Sequence, residues 1–173
     1  VRSTDAGLAG GLEAFGSRIA VIRKLHGLSR LEMADIAGLH VNTVVNLERG
    51  FVDGSILAVS LLILNLGCEG VAVTGSGFEP IVPAANRIGN VFPGLTTNKA
   101  LMAAEIGEVV RRRRLDLGAT LEQIASRAGI HRNTLSNVEK GLVAPSIATT
   151  YRIYRSLDVS CVSGSNSGIR LLA

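Results

Sequence analysis

Slid along itself by 91 positions, the sequence lays residues 15–68 on residues 106–159 without a gap. Gly16, Arg23, Gly27, Ala34, Ala37, Gly38, His40, Asn42, Thr43, Asn46, Glu48, Gly50, Val52, Ser55, Ile56 and Leu66 each fall on an identical residue. A repeat of this kind means one supersecondary unit made twice, and 173 residues suffice for two small domains. The repeat divides the chain into a lead-in (1–14), a first unit (15–68), a linker (69–97), a second unit (98–159) and a tail (160–173). The lead-in is rich in Gly and Ala with no clear period and is expected to fray. The linker carries Pro80, Pro83 and Pro93 among several glycines.

The second unit is the easier to read. Its stretch TLEQIASRAGIHRNTLSNVEKG, residues 120–141, predicts a helix, a tight turn and a second helix. Thr120 and Gln123 form a capping box. Leu121, Ile124, Ala125 and Ala128 share one face at helical spacing. Gly129 follows, where a helix end favours positive φ. Ile130, Leu135 and Val138 continue the apolar face. Arg132, Asn133, Ser136 and Asn137 project away from it, with side chains that can meet base edges in a major groove. The first unit repeats the plan as SRLEMADIAGLHVNTVVNLERG, with Ser29 and Glu32 as capping box, Gly38 in the turn, and Ala34 and Val44 in the core.

These residues resemble the helix-turn-helix of the phage lambda repressor and Cro type, the XRE family. Ala125, Gly129 and Leu135 occupy that motif's small, glycine and aliphatic positions, and the likeness runs over residues 106–159. It includes APSIATTYRIYRSLDVS, which is similar to the family's last two helices. The resemblance implies an all-α protein of two five-helix domains in tandem and sequence-specific binding of double-stranded DNA in transcriptional control. The residues it implies at DNA are Thr120, Arg132, Asn133, Ser136, Asn137 and Lys140 in the second unit. In the first they are Arg30, Val41, Asn42, Asn46 and Arg49. It also implies structural ion pairs, Arg114 with Glu139 and Arg23 with Glu48. Those pairs take Arg114 out of the run Arg111–Arg114, whose members a helix spreads around its circumference. The remaining arginines of that run face either solvent or phosphate. His40 and His131 stand where the family has a Ser or Thr cap, and either donate to phosphate or are simply tolerated.

Charge favours the second half. Residues 1–86 hold 6 Lys/Arg against 8 Asp/Glu, while residues 87–173 hold 12 against 6. The footprint for a polyanion therefore lies in the second half. The first unit departs further: Val41 and Val45 replace donors, and residues 55–66 are apolar almost all round. Such a helix expects cover on every side. That cover is either its own linker or, the preferred reading, an interface with a second copy or a protein partner.

Each unit is followed by a short β-prone tail, CEGVAVTG at 68–75 and VSCVSG at 159–164. A lone strand is a hazard, and two on one chain can pair into a small two-stranded sheet. The pairing expected is Val71–Val73 with a segment near Val159–Val162. The tails resemble, over few residues, antitoxins of the HipB type, whose repressor domain ends in a strand that pairs across the dimer. A flexible linker of about 29 residues spans roughly 30 Å, close to the ~34 Å between successive major grooves.

Two cysteines, Cys68 and Cys161, make no disulfide framework, which points to a reducing cytoplasm. No signal-peptide pattern is seen, and the longest apolar run is too short to span a bilayer. No phosphate loop, metal-ligand spacing or nucleophile–base pair stands out, so neither catalysis nor a cofactor or metal is expected. No appended ligand-binding domain is apparent, and small-molecule control is not expected. The rival reading is an antitoxin-like interaction module whose first unit holds a protein partner and for which DNA binding is secondary.

Overall fold

Helices start in this chain where the sequence offers an acceptor and stop where it offers a glycine. A computed structural model describes residues 2–51, 54–82, 99–165 and 168–172. Its first half contains α1 (Arg2–Leu25), α2 (Arg30–Ala37), α3 (Val41–Glu48), α4 (Ile56–Asn65), β1 (Gly70–Val73) and β2 (Phe78–Ile81). Its second half contains α5 (Lys99–Asp116), α6 (Leu121–Ala128), α7 (Arg132–Glu139), α8 (Ile147–Ser156), β3 (Cys161–Ser165) and β4 (Gly168–Leu172). Both capping boxes form, Ser29 with Glu32 and Thr120 with Gln123. Gly38 and Gly129 take left-handed conformations at φ 60° and 63°, where an L side chain would be strained.

Several expectations are corrected. The lead-in is not frayed: α1 runs from Arg2, and Leu8, Leu12, Phe15 and Ile19 form a buried stripe along it. Of the glycines that obscured this helix, Gly11 serves packing, while a Cβ on Gly7 or Gly10 would meet open space. A Cβ on Gly11 would come within 1.9 Å of the Ser76 carbonyl oxygen, so only glycine lets α1 lie against the β1–β2 turn. Each helical set has four described helices instead of five. Residues 140–146 run as turn and extended chain into α8, because Pro145 disfavours a helical Ala144 and Ser146 bridges to Ser55. The sheet has four strands instead of two, in the order β2-β1-β3-β4, all antiparallel. The start of the expected linker is therefore a hairpin, and the tail is a second one. Pro80 is tolerated because β2 is an edge strand. The rest of the expected linker, 83–97, lies outside the described residues.

The expected strand pairing is present, with Gly70 opposite Ser163, Val71 opposite Val162 and Ala72 opposite Cys161. Val71 and Val162 are themselves 91 residues apart. The same holds for Ser55 and Ser146, which form an isolated antiparallel bridge. Around that bridge the Ile56 N–H donates to the Pro145 carbonyl at 3.1 Å, and the Ile147 N–H to the Gly54 carbonyl at 3.0 Å. Val71–Val162 and Ser55–Ser146 each join a residue to the one 91 positions on, and a shift of 91 residues exchanges the two hydrogen bonds around the bridge. The hairpins extend the correspondence, since β2 shifted by 91 residues falls within β4. The buried side chains of both halves form one continuous core.

Aromatic residues concentrate at one place in that core. Phe78 of β2 meets Phe15 of α1 and Tyr151 and Tyr154 of α8, all edge-on, with centroids 6.2, 5.6 and 6.3 Å away. Edge-on geometry sets the positive rim of one ring against the negative face of another. The cluster thereby fastens the second helical set to the first hairpin.

Candidate nucleic-acid interface

The turn between α6 and α7 holds the two helices on a shared core of Ile124, Ala125, Ala128, Leu135 and Val138, all nearly inaccessible. That burial directs the remaining positions of α7 outward. Arg132, Asn133, Asn137 and Lys140 are exposed and Ser136 is half-buried. Helical spacing puts Asn133 beside Asn137, and Arg132 beside Ser136. The result is a polar edge of donors and acceptors suited to base edges.

The first turn of α7 is capped by a ring. His131 Nδ1 accepts the Asn133 N–H at 3.2 Å, and His40 Nδ1 does the same for the Asn42 N–H. An accepting Nδ1 assigns the proton to Nε2 in the neutral ring. Histidine therefore fills the role of the expected Ser or Thr cap, a use the residue type alone did not suggest. Thr120 is occupied by its capping box: its N–H donates to Gln123 Oε1 at 2.8 Å, and its Oγ1 accepts from the Gln123 N–H at 3.2 Å.

Beneath α7 the Arg114 guanidinium grips Glu139 with two bonds, Nε to Oε1 at 2.6 Å and Nη2 to Oε2 at 2.7 Å. Its Nη1 donates to the Ala119 carbonyl at 3.0 Å. The hydrogen bond to Glu139 raises the Arg114 pKa, and the pair holds α7 to α5. Arg23 and Glu48 repeat the arrangement in the first half, with Nε to Oε1 at 2.5 Å and Nη2 to Oε2 at 3.3 Å. Here Arg30 joins as well, its Nε 2.7 Å from Glu48 Oε2. Arg30, implied as a DNA contact, thus lies against a buried carboxylate. Its repeat mate is Leu121, so the second half lacks this third member. Within the arginine run, Arg113 donates to the Leu157 carbonyl at the end of α8, at 3.0 Å. Arg112 lies 3.6 Å from Glu108 on the exposed face of α5.

The first half presents a different surface. Asn42, Asn46 and Arg49 are exposed, but Val41 is half-buried and packs on the core, where Arg132 stands free of it in α7. Phe51 and its repeat mate Leu142 are 59% and 69% exposed just beyond α3 and α7. They flank the polar edges as apolar neighbours that sequence reasoning missed; an apolar residue straight after Gly50 and Gly141, with no helical partner, was the available signal. Cys68 is buried, which pushes its thiol up to about 11. Cys161 is half-buried, and both cysteines are free. Among the described residues no group of His, Cys, Asp or Glu is placed to hold a metal, and no helix is long and apolar enough to cross a membrane.

The helix-turn-helix family pattern matches residues 110–162. A helix-turn-helix-type transcriptional regulator of Methanothermobacter thermautotrophicus, itself uncharacterised, is 41% identical over 49 residues. Those residues are 28% of this chain and 71% of that protein.

Proposed function

For a chain that belongs to the helix-turn-helix family, we propose sequence-specific binding of double-stranded DNA in the control of transcription, in the cytoplasm. The observation that carries this reading is the outward polar edge of α7, set on a buried core and braced by the Arg114–Glu139 pair. Arg132, Asn133, Ser136 and Asn137 read bases, while Thr120 and Lys140 lie along phosphates. The first half is a second helix-turn-helix unit. Asn42, Asn46 and Arg49 contact DNA there, with Arg30 at its edge and Val41 offering only apolar contact.

The chain in this reading is a pseudo-dimer in one polypeptide, and the antiparallel pairing of β1 with β3 supports it. A two-fold between the halves turns α3 and α7 toward one side, so that two half-sites are met together. The second half supplies most of the affinity, in keeping with its excess of Lys and Arg. The packing of Val41 and the low charge of the first half favour a second reading, an antitoxin-like module whose first half holds a protein partner. Titration of a random duplex pool against the full chain at rising salt distinguishes them. A DNA reader enriches a defined site and loses affinity steeply with salt; no enrichment would leave the interaction module.

A further inference from the structure

The aromatic cluster has no counterpart across the pseudo-two-fold. Moving 91 residues from Phe15, Phe78, Tyr151 and Tyr154 leads to Ile106, Ile169, Ser60 and Ile63. All four of these mates line a single cavity of about 60 Å³ between the sheet and the helices α4, α5 and α8. The cavity lies where one half of the fold has aromatic rings and the other has smaller groups. The largest single difference is Ser60 for Tyr151, which removes a phenol ring beyond Cβ.

The walls describe what fits. Ile56, Val59, Ile63 and Ile106 are buried and apolar, and no charged side chain is among the described lining residues. Ser60 and Ser163, both half-buried, add hydroxyls to the lining. Tyr154 and Phe78, themselves lining residues, offer aromatic contact. The volume is below the roughly 150 Å³ of an enclosed cavity that takes benzene, so a ring enters with one edge left at the mouth.

We propose that this cavity is a binding site for a neutral, single-ring aromatic ligand of the phenol class. The ring rests on Ile63, Ile106 and Ile169, and the hydroxyl stays beside Ser60 and Ser163. Such a site needs no appended domain, because it arises between the two repeats. It stands on the cavity and its repeat mates, independently of whether the chain reads DNA.

The test uses the full chain without DNA, with phenol as probe and benzoate as its charged counterpart, followed by calorimetry and amide chemical shifts. Phenol should bind saturably and shift amides around Ser60, Ile63, Ile106 and Ile169, with benzoate about tenfold weaker or worse. Ser60→Tyr restores the missing ring and should weaken phenol by about tenfold or more. Ile169→Phe does the same from the sheet side and serves if Ser60→Tyr does not fold. Non-saturating shifts, equal binding of benzoate, or unchanged affinity in the folded variants would overturn the assignment.

Discussion

Tyr151 on α8 donates its hydroxyl to the carbonyl of Gly75, 76 residues away, at 2.8 Å. The Thr74 carbonyl lies 3.0 Å from the same oxygen and shares the donor. One side chain of the second half thus secures the turn of the first hairpin. Tyr151→Phe keeps the edge-on contact with Phe78 and removes only the hydroxyl. It should cost about 1 kcal/mol, read as a lower denaturant midpoint with an unchanged slope. An unmoved midpoint would show that the bond contributes nothing to stability.

Gly107 offers a test in which two effects have opposite signs. Helix propensity alone makes Gly107→Ala stabilising by about 1 kcal/mol. A Cβ there, however, would sit 2.4 Å from the Val138 carbonyl oxygen, and on Gly16 it would sit 2.2 Å from that of Leu47. Backbone contact so close must push α5 off α7, and overpacking of this kind costs about 1–3 kcal/mol. Thermal melting should therefore show a net loss for Gly107→Ala and Gly16→Ala alike; a gain in either would mean the helices do not approach as described.

Glu48 sets an acid limit on stability. Burial raises its carboxyl pKa, but the hydrogen bonds and charges of Arg23 and Arg30 outweigh that and hold it below the ordinary 4.5. A carboxyl depressed in the folded state stabilises fully above its unfolded pKa, and that stability is lost as pH falls through the folded value. Glu48→Gln should be less stable than the parent at pH 7, by up to about 3 kcal/mol for a broken buried pair. The gap should close as both are titrated toward pH 3. Urea midpoints at several pH values check this, and a gap independent of pH would remove Glu48 as its source.

If α7 reads bases, Arg132→Ala and Asn137→Ala should each weaken specific binding by about 1–3 kcal/mol and leave melting unchanged. Asn46→Ala in α3 should cost less. The selected site should be asymmetric, because Val41 stands opposite Arg132 across the pseudo-two-fold. Equal losses from both helices on a perfect palindrome would contradict the division of labour between the halves.

Local chemistry was the legible part of this fold. Caps, turn glycines and ion pairs depend on residues a few positions apart or on one repeated motif, so Thr120, Gly129 and Arg114 could be placed before the fold was known. What escaped depends on neighbours distant in sequence. The Gly-rich lead-in showed no period, because the need for Gly11 comes from the Ser76 carbonyl, 65 residues away. Pro80 argued against a strand until β2 proved to be an edge. Arg30 is exposed, as expected, but its contact with Glu48 depends on α3 and was not legible. The strand pairing of the tails could be inferred because equal tails on one chain favour each other. The second strand of each hairpin could not, since FEPI and GIRLL carry little alternation. The α7 edge was legible as a candidate site; the cavity was not, because its walls come from both repeats at once.

Val71 and Val162 face each other inside a single polypeptide, so their pairing does not depend on protein concentration. Separate chains joined by such a strand pair would part on dilution. Here the local concentration of one half around the other is fixed by covalent connection. Inheritance is affected as well. In a dimer of identical chains every substitution appears twice; in this chain a change at Ser60 leaves Tyr151 as it is, and one at Val41 leaves Arg132.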